Sequence, residues 1–286
     1  MEHANEFPVE LMCRLLSVSR SGYYAWLKQR ERLPRRVEAG LDEAIKQAFE
    51  DSEQTYGSPR IGIELRRKGH RISDATVARR MRAMKLKVLN KRSFTITTNS
   101  KHDQPIADNL LQRNFQAEQA NQKWVSDLTY FRVAQKWYYL TTIIDLFDRA
   151  VVGWAISDNM TARDTTIAAF RMAQQRYRPT RGLILHSDRG IQYACRAFRA
   201  ELKAAGARPS MSRKADCYDN AVAESFFRTI KRECIDRRTF DDEPQAYTTI
   251  FRYIEGWYNT RRIHTSANNM APLQLRRQKT NPKRAA

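Results

Sequence analysis

Between Lys123 and Ser157 the chain reads KWVSDLTYFRVAQKWYYLTTIIDLFDRAVVGWAIS, and no other stretch constrains the fold as strongly. Two aromatic and β-branched runs, KWVSDLTYF and WYYLTTIIDLF, flank the polar VAQK, and a third, AVVGWAIS, follows LFDR. Such residues suit a pleated, half-buried surface, so three strands joined by short turns are expected as an antiparallel meander. Beyond them the pattern alternates. Thr161 to Arg176 reads as a helix with Ile167, Phe170 and Ala173 inward, and GLILHS as a short apolar strand. Ile191 to Ala205 reads as a helix, ARPSMS as a strand, and YDNAVAESFFRTIKRE, Tyr218 to Glu233, as a further helix. A meander followed by alternating helix and strand requires a mixed sheet covered by helices, an α/β layer architecture.

Upstream the chain is helical. VELMCRLLSVSRSGYYAWLKQR reads as a short apolar helix (Val9 to Leu16), a Ser-rich break and a second helix carrying Arg20, Tyr23, Tyr24 and Lys28. That outline fits a helix-turn-helix and equally an ordinary helical hairpin. A helix is expected at about Leu41 to Asp51, and another from Pro59, with Ile61 and Leu65 as its apolar stripe. Ser73 or Asp74 then caps a helix with Val77, Met81 and Met84 inward and Arg79, Arg80, Arg82 and Lys85 on or just beyond its other faces. This second helix-turn-helix is expected to enter a DNA major groove. Asn90 to Asn121 reads as a polar linker with local helix near Leu110 to Phe115. Glu243 to Tyr258 looks like an amphipathic helix, and a basic tail, RRQKTNPKR, follows later. The expected divisions are 1–33 (helix-turn-helix-like), 34–95 (DNA-binding helix-turn-helix), 96–120 (linker), 121–236 (α/β core) and 237–286 (C-terminal helix and tail).

Charge narrows the partners. The excess of 51 Lys and Arg over 31 Asp and Glu gives a net +20, which favours a polyanion, most simply nucleic acid. No apolar run reaches the roughly 18 residues of a membrane span, and Met1 to Arg30 lacks a signal-peptide core, so a cytoplasmic location is expected. Cys13, Cys195, Cys217 and Cys234 form no CxxC pair and the histidines are scattered, so neither a zinc site nor disulfides are expected.

The acids that matter sit where acids are unusual. Asp127 lies inside the first strand, sharing a face with Val125 and Thr129, a disfavoured place that needs a reason. Asp188 directly follows GLILHS, at a strand end where loops present functional groups. Glu224 lies in the helix after the last strand, with Arg228 and Lys231 at i+4 and i+7 on the same side. Those bases either grip phosphate or form a helix-surface ion pair of a few tenths of a kcal/mol. Asp145 and Asp148 suit turn or cap roles, and Asp219 suits a cap for the Glu224 helix. Glu233 falls about 180° around that helix from Glu224 and belongs to another surface. His186 either orients Asp188 or completes the strand; Trp124 and Trp154 are expected in the core.

WVSDLTY, HSDRG and YDNAVAESFFRTIKRE, with LSVSRSGYYAWL, YGSPRI and YNTRRIHTSANNMAP, together resemble the integrase-like DDE transposases of bacterial insertion sequences. The resemblance is to the second-reading-frame (orfB) type of the two-frame family and covers nearly the whole chain. It implies a ribonuclease H-like catalytic domain of the retroviral-integrase superfamily, preceded by small helix-turn-helix domains. It implies Asp127, Asp188 and Glu224 as the catalytic, metal-binding triad for Mg²⁺, with Mn²⁺ as a substitute and two ions when DNA is bound. Hard oxygen ligands suit those ions. The implied reaction is metal-dependent cleavage at an element end and strand transfer by the freed 3′-hydroxyl, through a circular intermediate. The implied partners are terminal inverted repeats and target DNA, met by Arg20, Arg79, Arg80, Arg82, Lys85, Arg228 and Lys231. A homo-oligomer on nucleoid DNA and a first-frame (orfA) partner or fusion are implied as well. The chain lacks the leucine-zipper segment of the fused family enzyme and is expected to be part of the functional whole. Ala267 and Asn268 stand where the family carries an apolar residue and Gly, so altered docking of the C-terminal segment is expected. A ribonuclease H-like nuclease without strand transfer, or a non-catalytic DNA-binding regulator, are the competing readings.

Overall fold

The computed structural model describes residues 7–31, 40–88, 104–213 and 217–280. The boundaries expected near 33–34 and 95–96, and the first part of the linker, lie outside the described residues. Helices α1 (Val9–Leu15) and α2 (Arg20–Glu31) pair with each other, and Cys13 is the buried residue of α1. Helices α3 (Leu41–Asp51), α4 (Ser58–Arg67) and α5 (Asp74–Ala83) enclose Ile45, Ile61, Leu65 and Val77, none of them exposed. Pro59 stands in the first turn of α4, where its missing N–H leaves no hydrogen bond unmade. Ser73 caps α5, its Oγ accepting from Thr76 N at 3.2 Å.

The expected meander is present as β1 (Lys123–Val133), β2 (Lys136–Asp145) and β3 (Val151–Ser157). Helix α6 (Ala168–Tyr177) follows a π turn and packs on β3. Gly153 permits that contact: a Cβ there would run into the carbonyl oxygen of Ala169. Next come β4 (Ile184–Ser187), α7 (Ile191–Ala194), α8 (Arg196–Ala204) and β5 (Arg208–Met211). The single helix expected over Ile191 to Ala205 is broken at Cys195, whose extended backbone and Sγ cap α8. The sheet order is β3-β2-β1-β4-β5, antiparallel within the meander and parallel from β1 through β4 to β5.

Helix α9 (Ala221–Glu233) leaves a 3₁₀ turn over Cys217–Asn220, and α10 (Glu243–Phe251) runs on through a π turn, Arg252–Tyr258. One face of the sheet packs Trp124, Leu185, Phe170 and Phe198. The other packs Val125, Phe226, Ile230 and Ile254, and its apolar cluster continues into α3–α5. The helical unit is therefore seated on the sheet unit. Tyr56 Oη accepts from Ile263 N at 2.7 Å, and Arg67 Nη2 donates to Asn269 O at 2.6 Å.

Three expectations need correction. Leu110 to Phe115 is a turn, not a helix, because Gln112 and Arg113 adopt φ of 46° and 61°. The basic tail is not simply a tail: Pro272–Thr280 forms helix α11, with Arg276 turned inward onto Asp145 (2.7 Å) and Asp148. The segment with the altered motif is well docked. Ala267 is 1% exposed, while Asn268 and Asn269 take φ of 53° and 60°, a region Asn enters more readily than most residues.

Candidate active site

β1 and β4 pair in parallel only over Lys123–Val125 and Ile184–His186. Val125 stands opposite His186, so Asp127 and Asp188 each lie two residues further on, one strand spacing of roughly 4.8 Å apart if the register continued. Here the sheet parts: β4 hands over to a loop while β1, among the described residues, continues beside β2 alone. Ligand sites of open α/β sheets form at such strand ends.

Both carboxylates are half-buried. Burial, then the negative charge of Asp188, then that of Glu224, hold the Asp127 carboxyl well above the usual carboxylate range. The Leu128 amide, donating to Asp127 Oδ1 at 2.9 Å, and the charge of Lys231 oppose this. Asp188 Oδ1 accepts from Gly190 N at 2.9 Å, and a Cβ on Gly190 would crowd that oxygen at 3.0 Å. Glu224, in the first turn of α9, is raised by burial and lowered by Arg228. Lys231 lies over the Tyr130 ring at 5.3 Å; burial lowers its ammonium pKa, against the pull of Asp236 and Asp127. Three elements thus bring their acids toward the parting of β1 and β4, with Asp188 acting on Asp127 more strongly than Glu224 does.

Several supporting residues escaped sequence reasoning. Tyr193 on α7 is buried, its Oη 2.8 Å from Ser126 Oγ; burial first, then Asp127 and Asp188, keep it a phenol. Asn220 Nδ2 donates to Ser126 O at 3.1 Å and pins the start of α9 to β1. Asp219 does not cap α9. Its carboxylate receives Arg213 (2.9 Å to Nη2 and to the backbone N), Arg113 Nε (2.9 Å) and Asn109 Nδ2 (2.9 Å), which holds it well below the usual range. No local pattern reveals Asn109 and Arg113, partners more than a hundred residues away.

The remaining sequence candidates separate cleanly. His186 bonds Ser210 Oγ (2.8 Å) and Ser212 Oγ (3.1 Å), and burial pushes it down to about 4, so it ties β4 to β5 as a neutral ring. Asp148 Oδ1 accepts from Ala150 N, the expected turn role, but it and Asp145 also receive Arg276. Glu233 is held by Arg262 through two bonds of 2.7 and 2.8 Å, away from Glu224. Trp124 and Trp154 are core residues. Arg79, Arg82 and Lys85 are exposed, Arg80 is paired with Asp42 at 3.2 Å, and Arg20 lies 3.5 Å from Glu10.

Among the described residues no three His, Cys, Asp or Glu side chains meet closely enough to enclose a metal ion. A pair of mutually repelling carboxylates is nevertheless the donor set a hard cation favours, with phosphate and water completing its shell. Among the described residues, the buried hydroxyl of Thr142, opposite Asp127 in the β1–β2 register, and the Asn220 carboxamide oxygen have no hydrogen-bond partner. Such orphaned polar atoms fit hydrated ligands of that kind.

Two integrase core domain family models match residues 117–217 and 205–272, and an HTH-like domain model matches residues 36–94. Transposase InsF for insertion sequence IS3A of Escherichia coli (strain K12) is 40% identical over 276 residues, 96% of each chain. The Shigella sonnei insertion element IS600 uncharacterized 31 kDa protein is 39% identical over 265 residues, 93% of this chain and 97% of that one. The HTLV-2 integrase catalytic core domain, solved in complex with magnesium, aligns at 16% identity and a TM-score of 0.43, covering 56% of this chain and 98% of that chain.

Proposed function

Because this chain belongs to the transposases of IS3-type insertion sequences and is a DNA transposase, we propose that Asp127, Asp188 and Glu224 are its catalytic DDE carboxylates. The observation that supports this is that Asp127 and Asp188 each follow the last β1–β4 pair, Val125 with His186, by two residues, and that the charge of Asp188 raises Asp127. The residues fit Mg²⁺, with Mn²⁺ as substitute. When bound, such ions would activate the attacking oxygen and stabilise the leaving one.

The chain's own groups do the positioning. Gly190 N fixes one oxygen of Asp188, Asn220 and the Asp219 clamp hold α9 so that Glu224 faces β1, and Arg228 and Lys231 on α9 meet the phosphates of the reacting strand. The reaction is cleavage of a phosphodiester at an element end, then attack of the liberated 3′-hydroxyl on another, one P–O bond forming as one breaks. The two element ends would join through a circular intermediate. Residues 34–95 serve as the domain that holds the terminal inverted repeats, with Arg79, Arg82 and Lys85 toward DNA; the HTH-like match to 36–94 supports this. Work at two ends calls for a homo-oligomer, and a first-frame (orfA) segment is the expected helper.

Strand transfer with pre-cleaved end DNA and Mn²⁺ is the test. Joined product is expected from the wild type, and at least a 100-fold loss from Asp188→Asn and from Glu224→Gln, with duplex affinity kept within about twofold. Nicks without joining would favour a ribonuclease H-like nuclease, and full activity in either variant would sink the assignment.

A further inference from the structure

Beyond Val125 no strand among the described residues pairs with the β1 edge facing β4, and further along β1 aromatic and basic side chains of β1, β2 and α9 form a row. Lys231 Nζ lies 5.3 Å from the Tyr130 ring centroid, and the Tyr130 and Trp137 centroids are 4.9 Å apart at 87°. The Arg132 guanidinium carbon lies 4.9 Å from the Trp137 ring, the two residues standing opposite each other in the β1–β2 register. The result is a continuous cation–ring–ring–cation ladder. Its inner end, Lys231, is close enough to Asp127 for their charges to interact, and Tyr130 lies three residues, roughly 10 Å, along β1 from Asp127.

The outer rung decides what the ladder is for. Trp137 is 47% exposed, whereas Trp124 and Trp154 are at most 1% exposed. Cross-strand pairing accounts for the Arg132–Trp137 contact, but not for leaving half of an indole in water five residues, roughly 17 Å, along the strand from Asp127. A duplex presents phosphates and sugars on its outside and hides its base faces, so an indole has little to bind there. An unpaired nucleotide offers both a ring face for the indole and a phosphate for the flanking cations.

We propose that Tyr130, Trp137 and Arg132 form a stacking site for an unpaired nucleotide of the DNA whose phosphodiester is processed at the neighbouring carboxylates. The proposal rests on the reading of that site as the place of DNA chemistry. Strand separation at the reacting end would place a base on Trp137 while its backbone follows Arg132 and Lys231 inward.

The test uses full-length protein without divalent metal, so that it does not depend on the triad. Fluorescence anisotropy with single-stranded dT20 and a blunt 20-bp duplex is read for wild type, Trp137→Ala, Trp137→Phe and Arg132→Gln. Trp137→Ala is expected to weaken dT20 binding about tenfold, and duplex binding less than twofold. Trp137→Phe is expected to retain most of the dT20 affinity, and Arg132→Gln to lose part of it. An equal loss on both probes, or no loss on dT20, overturns the proposal. Duplex affinity retained by each variant guards against misfolding. Photocrosslinking to an oligonucleotide of 5-iodouracil should label Trp137 or Tyr130, and labelling confined to other residues overturns the proposal. Loss of strand transfer in Asp188→Asn with crosslinking intact would leave both readings standing; intact strand transfer in that variant would remove only the triad.

Discussion

Asp127 is kept in a place that costs stability. It is half-buried on a strand, and Asp188 and Glu224 both oppose its charge. Because the folded-state pKa is raised, the metal-free fold is favoured while Asp127 is protonated and loses that advantage as pH rises through the raised value. Asp127→Asn removes the repulsion. It should raise the melting temperature in chelator by about 2–4 °C at pH 8, the equivalent of about 1 kcal/mol, and by nothing below about pH 3.9. A lower melting temperature at pH 8 would show that the carboxylate is already compensated. Residues selected for function commonly carry such a stability penalty. The repulsion between Asp188 and Asp127 is a property of the fold: sequence puts both acids on their elements, while the Val125–His186 register brings them near.

At the scale of elements, Gly153 sets how closely α6 lies on β3. Gly153→Ala should destabilise the protein by about 1–3 kcal/mol in urea denaturation, since Ala169 O and the backbone of Ala173 must both give way. The strands and most helices were legible because β-branched runs and helical apolar stripes record local preference directly. Legibility failed where long-range pairing decides. The Leu110–Phe115 turn is set by left-handed residues with no Gly to announce them. Helix α11 reads as a solvated basic tail until Asp145 and Asp148, over a hundred residues earlier, supply partners for Arg276. The same holds at the candidate site. The three acids stand out by their positions, but Tyr193, Asn220 and the Asp219 clamp depend on contacts no local pattern encodes.

Across the whole molecule, two motifs the chemistry does not use come together. Tyr56 and Arg60, from YGSPRI, meet Arg262 and Ile263, from YNTRRIH, around Glu233 at the far end of α9. Glu233 also accepts from Tyr253 Oη at 2.8 Å. The cluster fixes the helical unit to the helix that carries Glu224. Arg262→Met would leave Glu233 buried with its main partner gone, and should cost about 3–5 kcal/mol by urea denaturation. The Arg262 guanidinium, outweighing burial together with Tyr253 and Arg60, holds the Glu233 carboxyl below its usual value. Its contribution is present above the ordinary glutamate pKa and fades as pH falls through the lower folded-state value. A change under 1 kcal/mol in Arg262→Met would mean that Arg60 alone suffices.

Arg276 reaches across from α11 to two acids that are otherwise sealed in the sheet, and burial with Asp148 already raises Asp145 to about 6. This gives the protein an order of completion during synthesis. While the ribosome has yet to release residue 276, both acids lack the Arg276 guanidinium and have only backbone amides and the charge of Arg149 to hold them. A stop codon just before Arg276 should therefore yield a chain whose β2–β3 turn is cut readily in limited proteolysis, while the full chain resists. Translation through residue 276 would then be the step that completes the charge pairing at the end of β2.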